Sequence, residues 1–399
     1  MTTKFESLKA REAKVLCNTY GRYPLAVARC QGARLYDLDG KEYVDLLAGI
    51  AVANLGHCRP ELAQVMAAQA LKLVHVSNLF FQEEQILLAE KLLDTCHAGK
   101  VFFCNSGAEA NEAAVKLARR YAQRVQKREA YEVVTLQGSF HGRTLAMIAA
   151  TGQDKIKDGF APLPQGFITA PWNDLDALDA AITDKTAAVL VEIVQGEGGV
   201  RPMTTAYAKA IQDLCRAKGV LFMVDEIQTG LCRTGRFWAF QHHGLTPDIF
   251  TAAKGLANGL PMGAMLATDT VAAGFVPGSH ATTFGGGGVL AAVAAKVVDI
   301  LIEEKLAQRA QETGAYAMQL FADLQAKLPS KIVDVRGLGL LLGVELSFPG
   351  QEVWTTLLER GFVCNLTQER VLRLIPPLTI DRADLAAFAT TLEDILVAR

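Results

Sequence analysis

Residues 220–230, VLFMVDEIQTG, and residues 247–255, PDIFTAAKG, decide how this chain folds. Each is an apolar run of strand length that leads to a charged side chain, Asp225 in the first and Lys254 in the second. The two charges lie 254 − 225 = 29 positions apart, about the length of one β-α-β unit. Ligands of open α/β sheets bind just beyond the carboxyl ends of parallel strands, where both groups would stand. Taken singly, Asp225 reads as well as a cap on the next helix, and Lys254 as a lysine whose stem lies along apolar surface. Taken together, they put a carboxylate and an amine into one crevice.

Outward from this pair, strand-length apolar runs alternate with longer helical patterns, the sign of a mostly parallel sheet covered by helices. Candidate strands are Lys100 to Cys104, Glu132 to Leu136, Ala187 to Val194, Val220 to Asp225 and Asp248 to Ala252, with helices at Glu109 to Arg124 and Thr205 to Ala217 between them. Nearer the start, GARLYDLDGKEYVDLL reads as a hairpin that turns on Asp39-Gly40. Past Gly288 a single Ala/Val-rich helix is expected from Val289 to Leu328, followed by short strands and helices of a smaller lobe. No internal repeat or low-complexity linker separates the two parts.

Composition narrows the function classes. Of 399 residues, half are hydrophobic and 21% charged, which excludes intrinsic disorder. Lys plus Arg (40) nearly balances Asp plus Glu (42), so no general attraction to nucleic acid or an anionic membrane is expected. No apolar run reaches the roughly 18 residues of a membrane span, and the polar N-terminus lacks a signal-peptide core, so a cytoplasmic location is expected. The eight cysteines form no CxxC pair and the seven histidines no HExxH, so neither a disulfide framework nor a metal is expected. His242 and His243 read as a surface pair on a helix end.

The Asp–Lys pair gains meaning from its neighbours. Burial lowers an ammonium pKa and frees the amine for Schiff-base chemistry. An acid beside such a lysine matches the needs of pyridoxal 5′-phosphate, whose pyridine nitrogen must stay protonated to draw electrons from a substrate carbon. That cofactor also needs an anion site. FFCNSGAEANEAAVKLARR offers a strand, then Ser106-Gly107-Ala108, then a helix start with free N–H groups. Ser106 and Glu109 equally satisfy a capping box that needs no ligand. In GSFHGRTL, Phe140 is a candidate to stack on a flat ring and Arg143 to clamp a carboxylate, against the plainer readings of core residue and surface ion-pair partner. His141 is a possible acid/base, although a lone histidine in a turn is more often structural. Gly286, Gly288 and Ala291 fit G-x-G-x-x-A, yet no apolar strand precedes them, so a nicotinamide site is excluded on context.

In family order, YGRYPLAVARCQGARLYDLDGKEYVDLLAGIAVANLGH, CNSGAEANEAA, SFHGRT, VEIVQGEGGV, VDEIQTGLCRTG, AAKGLANGLPMGA, TTFGG and RLIPPLTI resemble the class III (ornithine/acetylornithine type) aminotransferases, nearly end to end. The resemblance implies an α/β fold-type I transferase. Its large domain, residues 46–287, would carry a mostly parallel seven-stranded sheet, and a small α+β domain would form from residues 1–45 and 288–399. It makes Lys254 the lysine that binds the cofactor and Asp225 the partner of the pyridine nitrogen. Gln228 would lie near the phenolic oxygen and Phe140 on the ring face. Ser106, Gly107 and Ala108 would hold the phosphate, joined by Thr283 from the other subunit of a homodimer. Arg143 and Arg373 would bind substrate carboxylates, and Glu197 would pair with Arg373 until glutamate needs it. The implied reaction moves the ω-amino group of N2-acetyl-L-ornithine to 2-oxoglutarate in a ping-pong cycle of arginine biosynthesis. Succinyldiaminopimelate, ornithine and 4-aminobutyrate are rival donors, and an aminomutase, a decarboxylase or a catalytically silent binding paralogue are the readings outside transamination. Five positions depart from the family pattern. Gly287-Gly288 replaces Asn-Pro, which should loosen the following helix start. Ile193 replaces a proline, Arg59 a histidine, and Ile50 the tyrosine usual in ornithine enzymes, which leans toward the acetylated donor.

Overall fold

A computed structural model describes residues 4–399. The chain begins with a helix, Lys4–Val15, that buries none of its residues. Three antiparallel strands follow, β1 (Val27–Gln31), β2 (Arg34–Asp37) and β3 (Glu42–Asp45), with the expected turn at Asp39-Gly40 between β2 and β3. Gly40, at φ +85°, takes the conformation that favours glycine there.

The central sheet then builds from β4 (Lys100–Cys104), β5 (Glu132–Leu136), β6 (Phe167–Ala170) and β7 (Thr186–Val191). A two-residue hairpin, β8 (Val194–Gln195) and β9 (Arg201–Pro202), precedes β10 (Leu221–Asp225), β11 (Ile249–Ala252) and β12 (Gly263–Ala267). The seven strands run in the order β4-β12-β11-β10-β7-β5-β6. Only β12 runs against its neighbours β11 and β4, and the pairs from β11 to β6 are parallel. Every residue of β7 and β10 is buried, as a parallel strand covered on both faces requires. Each fully buried Val or Leu there contributes about 1.5–3 kcal/mol. The helix Gly107–Arg120 lays Ala110, Ala113, Ala114, Ala118 and the larger Leu117 on the sheet, the alanines letting it approach closely, and runs on as a wider turn through Val125.

The C-terminal part adds β13 (Ile332–Leu338), β14 (Leu341–Leu346), β15 (Phe362–Val363), β16 (Asn365–Thr367) and β17 (Val371–Leu374). β13-β14-β17-β16 form one antiparallel sheet. β15 instead joins β1-β2-β3, pairing parallel to β3 with Phe362 opposite Val44, so both chain ends share a sheet.

Three local expectations are corrected. The long helix past Gly288 is two, Gly288–Glu303 and Leu306–Lys327, broken where Lys305 adopts φ +51°. The run from Ala187 to Val194 is interrupted after Val191, where Glu192 turns toward the site described below. His242 and His243 are not a surface pair: His242 is partly buried against the Thr234 carbonyl, and His243 is buried with its Nδ1 2.9 Å from the Thr205 hydroxyl. The Gly-rich start of helix Gly288–Glu303 has no side-chain cap, but Asn78 and Gln85 donate to the carbonyls of Gly285 and Gly286 and tether it from outside. Arg59 forms ion pairs with Glu61 and Glu304.

Candidate active site

The parallel strands deliver their following residues to one edge of the sheet. β10 ends in Asp225, β7 is followed by Glu192, β11 leads through Ala253 to Lys254, β5 opens into the loop 137–143, and β4 leads to Ser106 and a helix start. These groups line a single cavity of about 440 Å³. Ser106, Gly107, Ala108, Phe140, Arg143, Glu197, Gln228, Asp225 and Lys254, all singled out in the sequence, face it. Arg373 reaches it through Glu197, with Nη1 2.6 Å from Oε1, and lies 3.3 Å from Gln228 Oε1. Thr283 does not join them in its own chain; it is exposed and lines a second hollow with Asn78 and Thr282.

Asp225 is 4% exposed and held from three sides. Asn111 Nδ2 donates to Oδ2 at 2.8 Å, His141 Nδ1 sits 2.9 Å from the same oxygen, and the Ile227 N–H donates to Oδ1 at 3.0 Å. Thr251 fixes Asn111 in turn by donating to its Oδ1 at 2.7 Å. Such a shell holds a carboxylate in one orientation, which a cofactor contact needs. His141 is therefore a buried support for Asp225. Its place next to Phe140 was legible in the sequence; its partner was not.

Lys254 is open only in part and adopts φ +43°, which aims its stem out of the strand direction. Burial pushes its ammonium below the ordinary lysine value, against the pull of Glu197, Asp225 and Glu192. Sequence reasoning missed Glu192. It is buried and accepts from the Phe140 N–H at 3.1 Å, so it holds the loop that carries the ring candidate. Burial, and then Asp225 beside it, push its carboxyl well above the usual range. Its position just past the end of a central parallel strand, the same signal that marked Asp225, could have found it. Burial also works to raise Glu197, but the charges of Arg373 and Lys254 outweigh it and hold the carboxyl low.

The site's fit to a pyridoxal phosphate can be tested on its own atoms. The first N–H groups of helix Gly107–Arg120 have no intrahelical acceptor. Ser106 caps the helix by accepting from Glu109 N at 3.2 Å, which leaves Gly107 and Ala108 to face the cavity. A Cβ on Gly107 would come within 2.8 Å of Ile227, so the helix start and the loop after Asp225 are in close contact. An anion seat, a fixed carboxylate and an amine of depressed pKa thus surround one hollow, and the residues fit the group. Among the described residues no cluster of three His, Cys, Asp or Glu could hold a metal.

Fold and cavity define an open-sheet α/β enzyme in which a lysine and a buried acid line one cavity. The chain belongs to the class-III aminotransferase family, whose model matches residues 16–396. It is 43% identical over 384 residues to the acetylornithine aminotransferase of Methanocaldococcus jannaschii, which covers 96% of each chain. It is 44% identical over 370 residues to acetylornithine aminotransferase 1 of Bordetella bronchiseptica, 92% of this chain and 94% of that one. Among solved structures, the ornithine aminotransferase of Toxoplasma gondii superposes with a TM-score of 0.95 at 34% identity, covering 100% of this chain and 96% of that one. A second structure of that protein, with a TM-score of 0.94, has pyridoxal phosphate at partial occupancy in its active site. The acetylornithine aminotransferase of Elizabethkingia anophelis superposes with a TM-score of 0.89 at 30% identity, covering 100% of both chains.

Proposed function

We propose that this chain is a pyridoxal-phosphate-dependent acetylornithine aminotransferase. It moves the ω-amino group of N2-acetyl-L-ornithine to 2-oxoglutarate, giving N-acetyl-L-glutamate 5-semialdehyde and L-glutamate, a step of arginine biosynthesis. The observation that carries the reading is the convergence of Lys254, Asp225 and the start of helix Gly107–Arg120 on one cavity. When bound, pyridoxal phosphate supplies a carbonyl that condenses with amines and a ring that takes up the electron pair left on the substrate carbon. Asp225 would hold the proton on the ring nitrogen, and its three hydrogen-bond partners keep it oriented. Ser106, Gly107 and Ala108 hold the phosphate. Phe140 would cover one ring face and Gln228 would lie near the phenolic oxygen. Lys254, whose ammonium pKa is lowered by burial, carries the proton to and from the substrate carbon.

Arg143 holds the α-carboxylate of the ω-amine donor while Glu197 masks Arg373. When glutamate or 2-oxoglutarate enters, Glu197 releases Arg373 to its α-carboxylate. One site thereby serves a donor with one free carboxylate and a diacid in turn. Residues 46–287 act as the cofactor unit, with residues 1–45 and 288–399 as the smaller one, in keeping with the pairing of β3 and β15. The working unit is a homodimer in which Thr283 completes the partner's phosphate site. Its exposure outside its own chain's cavity supports this, as do the exposed Leu79, Phe80, Phe81 and Phe284. The enzyme works in the cytoplasm on small molecules, with neither nucleic acid nor membrane as partner. No helix among the described residues is long and apolar enough to cross a membrane.

The decisive experiment measures glutamate formation from 2-oxoglutarate with acetylornithine, ornithine, succinyldiaminopimelate and 4-aminobutyrate, in parallel with Lys254→Ala. Acetylornithine should give the highest kcat/KM, and Lys254→Ala should abolish turnover with every donor. Preference for another donor refutes the substrate assignment. A colourless protein that makes no glutamate from any of them refutes the transaminase.

A further inference from the structure

Arg233 lies outside the cavity, yet it is one of the largest fully buried side chains in the molecule. Among the described residues it makes no salt bridge and its Nε has no partner; its remaining nitrogens serve neutral oxygens from separate segments. Nη1 donates to the carbonyls of Leu340 at 3.0 Å and Pro376 at 2.5 Å, and Nη2 donates to Asn54 Oδ1 at 2.6 Å. The Leu340 N–H returns a bond to the Arg233 carbonyl at 3.0 Å. Burying a guanidinium without a carboxylate partner is costly. No neutral side chain could donate in a plane to three such acceptors.

The placement of these acceptors gives the arginine its meaning. Pro376 lies three residues beyond Arg373, where the chain leaves β17. The same stretch is tied down again by Ile375 N to Leu46 O and by Leu378 N to Asn54 O, both 2.8 Å. Arg233 itself stands on the loop that begins at Asp225 and carries Gln228, which accepts from the Arg373 side chain at 3.3 Å. One loop therefore grips Arg373 twice, by its guanidinium through Gln228 and by its following backbone through Arg233.

We propose that Arg233 is a positioning residue for Arg373: by clasping the chain beyond β17 to the loop after Asp225, it sets where the α-carboxylate of a diacid sits relative to Lys254. This rests on the reading that Arg373 receives that carboxylate. It predicts asymmetry between the half-reactions, because the ω-amine donor does not use Arg373 whereas glutamate and 2-oxoglutarate do.

The test follows each half-reaction of the cofactor-loaded enzyme separately in single turnovers, by cofactor absorbance, for the wild type, Arg233→Lys, Gly339→Ala and Arg373→Lys. Gly339→Ala keeps the Arg233 side chain but displaces the backbone that carries it. Gly339 has φ +57° and its Cβ would lie 2.3 Å from the Thr234 carbonyl carbon, so the alanine must push the Arg233–Thr234 backbone away from the C-terminal sheet. A displacement near 1 Å should slow the glutamate and 2-oxoglutarate half on the order of 10²-fold through a raised KM, and leave the donor half within about threefold. Equal losses in both halves, or none in either, from Arg233→Lys overturn the proposal. Should that variant not fold, the same outcomes from Gly339→Ala decide. If Arg373→Lys leaves the KM for 2-oxoglutarate unchanged, the underlying assignment of Arg373 fails instead, whatever the Arg233 variants do.

Discussion

Replacing Glu226 by glutamine should remove a pH dependence from the stability of this enzyme. Glu226 follows Asp225 and is fully buried. One of its oxygens lies 2.6 Å from the Thr229 hydroxyl, and the other accepts from the Phe240 N–H at 2.8 Å. Burial outweighs these contacts and pushes its carboxyl from the ordinary 4.5 to about 7. Between those values the folded chain keeps a proton that the unfolded chain releases. The resulting stability is fully present below pH 4.5 and is lost as pH rises through about 7. A gap of 7 − 4.5 = 2.5 pH units corresponds to about 3 kcal/mol. At about 2.1 cal/mol/K per residue over a chain of this length, that is roughly 4 °C in melting temperature. Glutamine keeps an oxygen for the Phe240 N–H and cannot titrate. Urea unfolding of both proteins with saturating cofactor, from pH 4.5 to 8 at constant ionic strength, gives the difference directly. The stability of wild type minus that of Glu226→Gln should fall by about 3 kcal/mol across the range. A difference that stays flat or rises with pH refutes the assignment of the proton to Glu226.

Two further substitutions probe the cavity. Glu192→Gln preserves a neutral acceptor for the Phe140 N–H and should retain kcat/KM within about threefold, whereas Glu192→Leu strands that donor and should cost roughly tenfold or more. Equal damage from both would show that Glu192 works as a carboxylate. Glu197→Gln replaces a charged partner of Arg373 with a neutral one, and a charge-assisted bond is worth about 1.5–3 kcal/mol. The acetylornithine half-reaction should slow by about 10- to 100-fold relative to the glutamate half, measured in single turnovers; an unchanged ratio argues against masking.

Several features were legible because they are local. β4 and β5 occupy the expected residues, since each is a short apolar run bounded by polar or glycine punctuation. β10 and β11 begin one residue late, at strand ends where pairing frays. The helix past Gly288 misled because its apolar content continues through the break. Lys305 terminates it by backbone conformation, which leaves little trace in composition. His243 misled for a related reason: its hydroxyl partner, Thr205, is distant in sequence. Glu192 went unnoticed because the strand before it and the hairpin after it merge into one apolar run.

By itself the sequence determined the open α/β class, the acid at the end of one strand, the lysine after the next and the helix start that can seat an anion. Each is encoded within a dozen residues by periodicity and turn chemistry. Only the tertiary structure decided which groups meet. Asn111 from a helix and His141 from a loop converge on Asp225, Arg373 crosses from the C-terminal sheet to Glu197, and Arg233 binds three segments at once. Those contacts join residues up to 179 positions apart. They depend on strand order and on which side chains lose water together, and no local pattern of residues carries either.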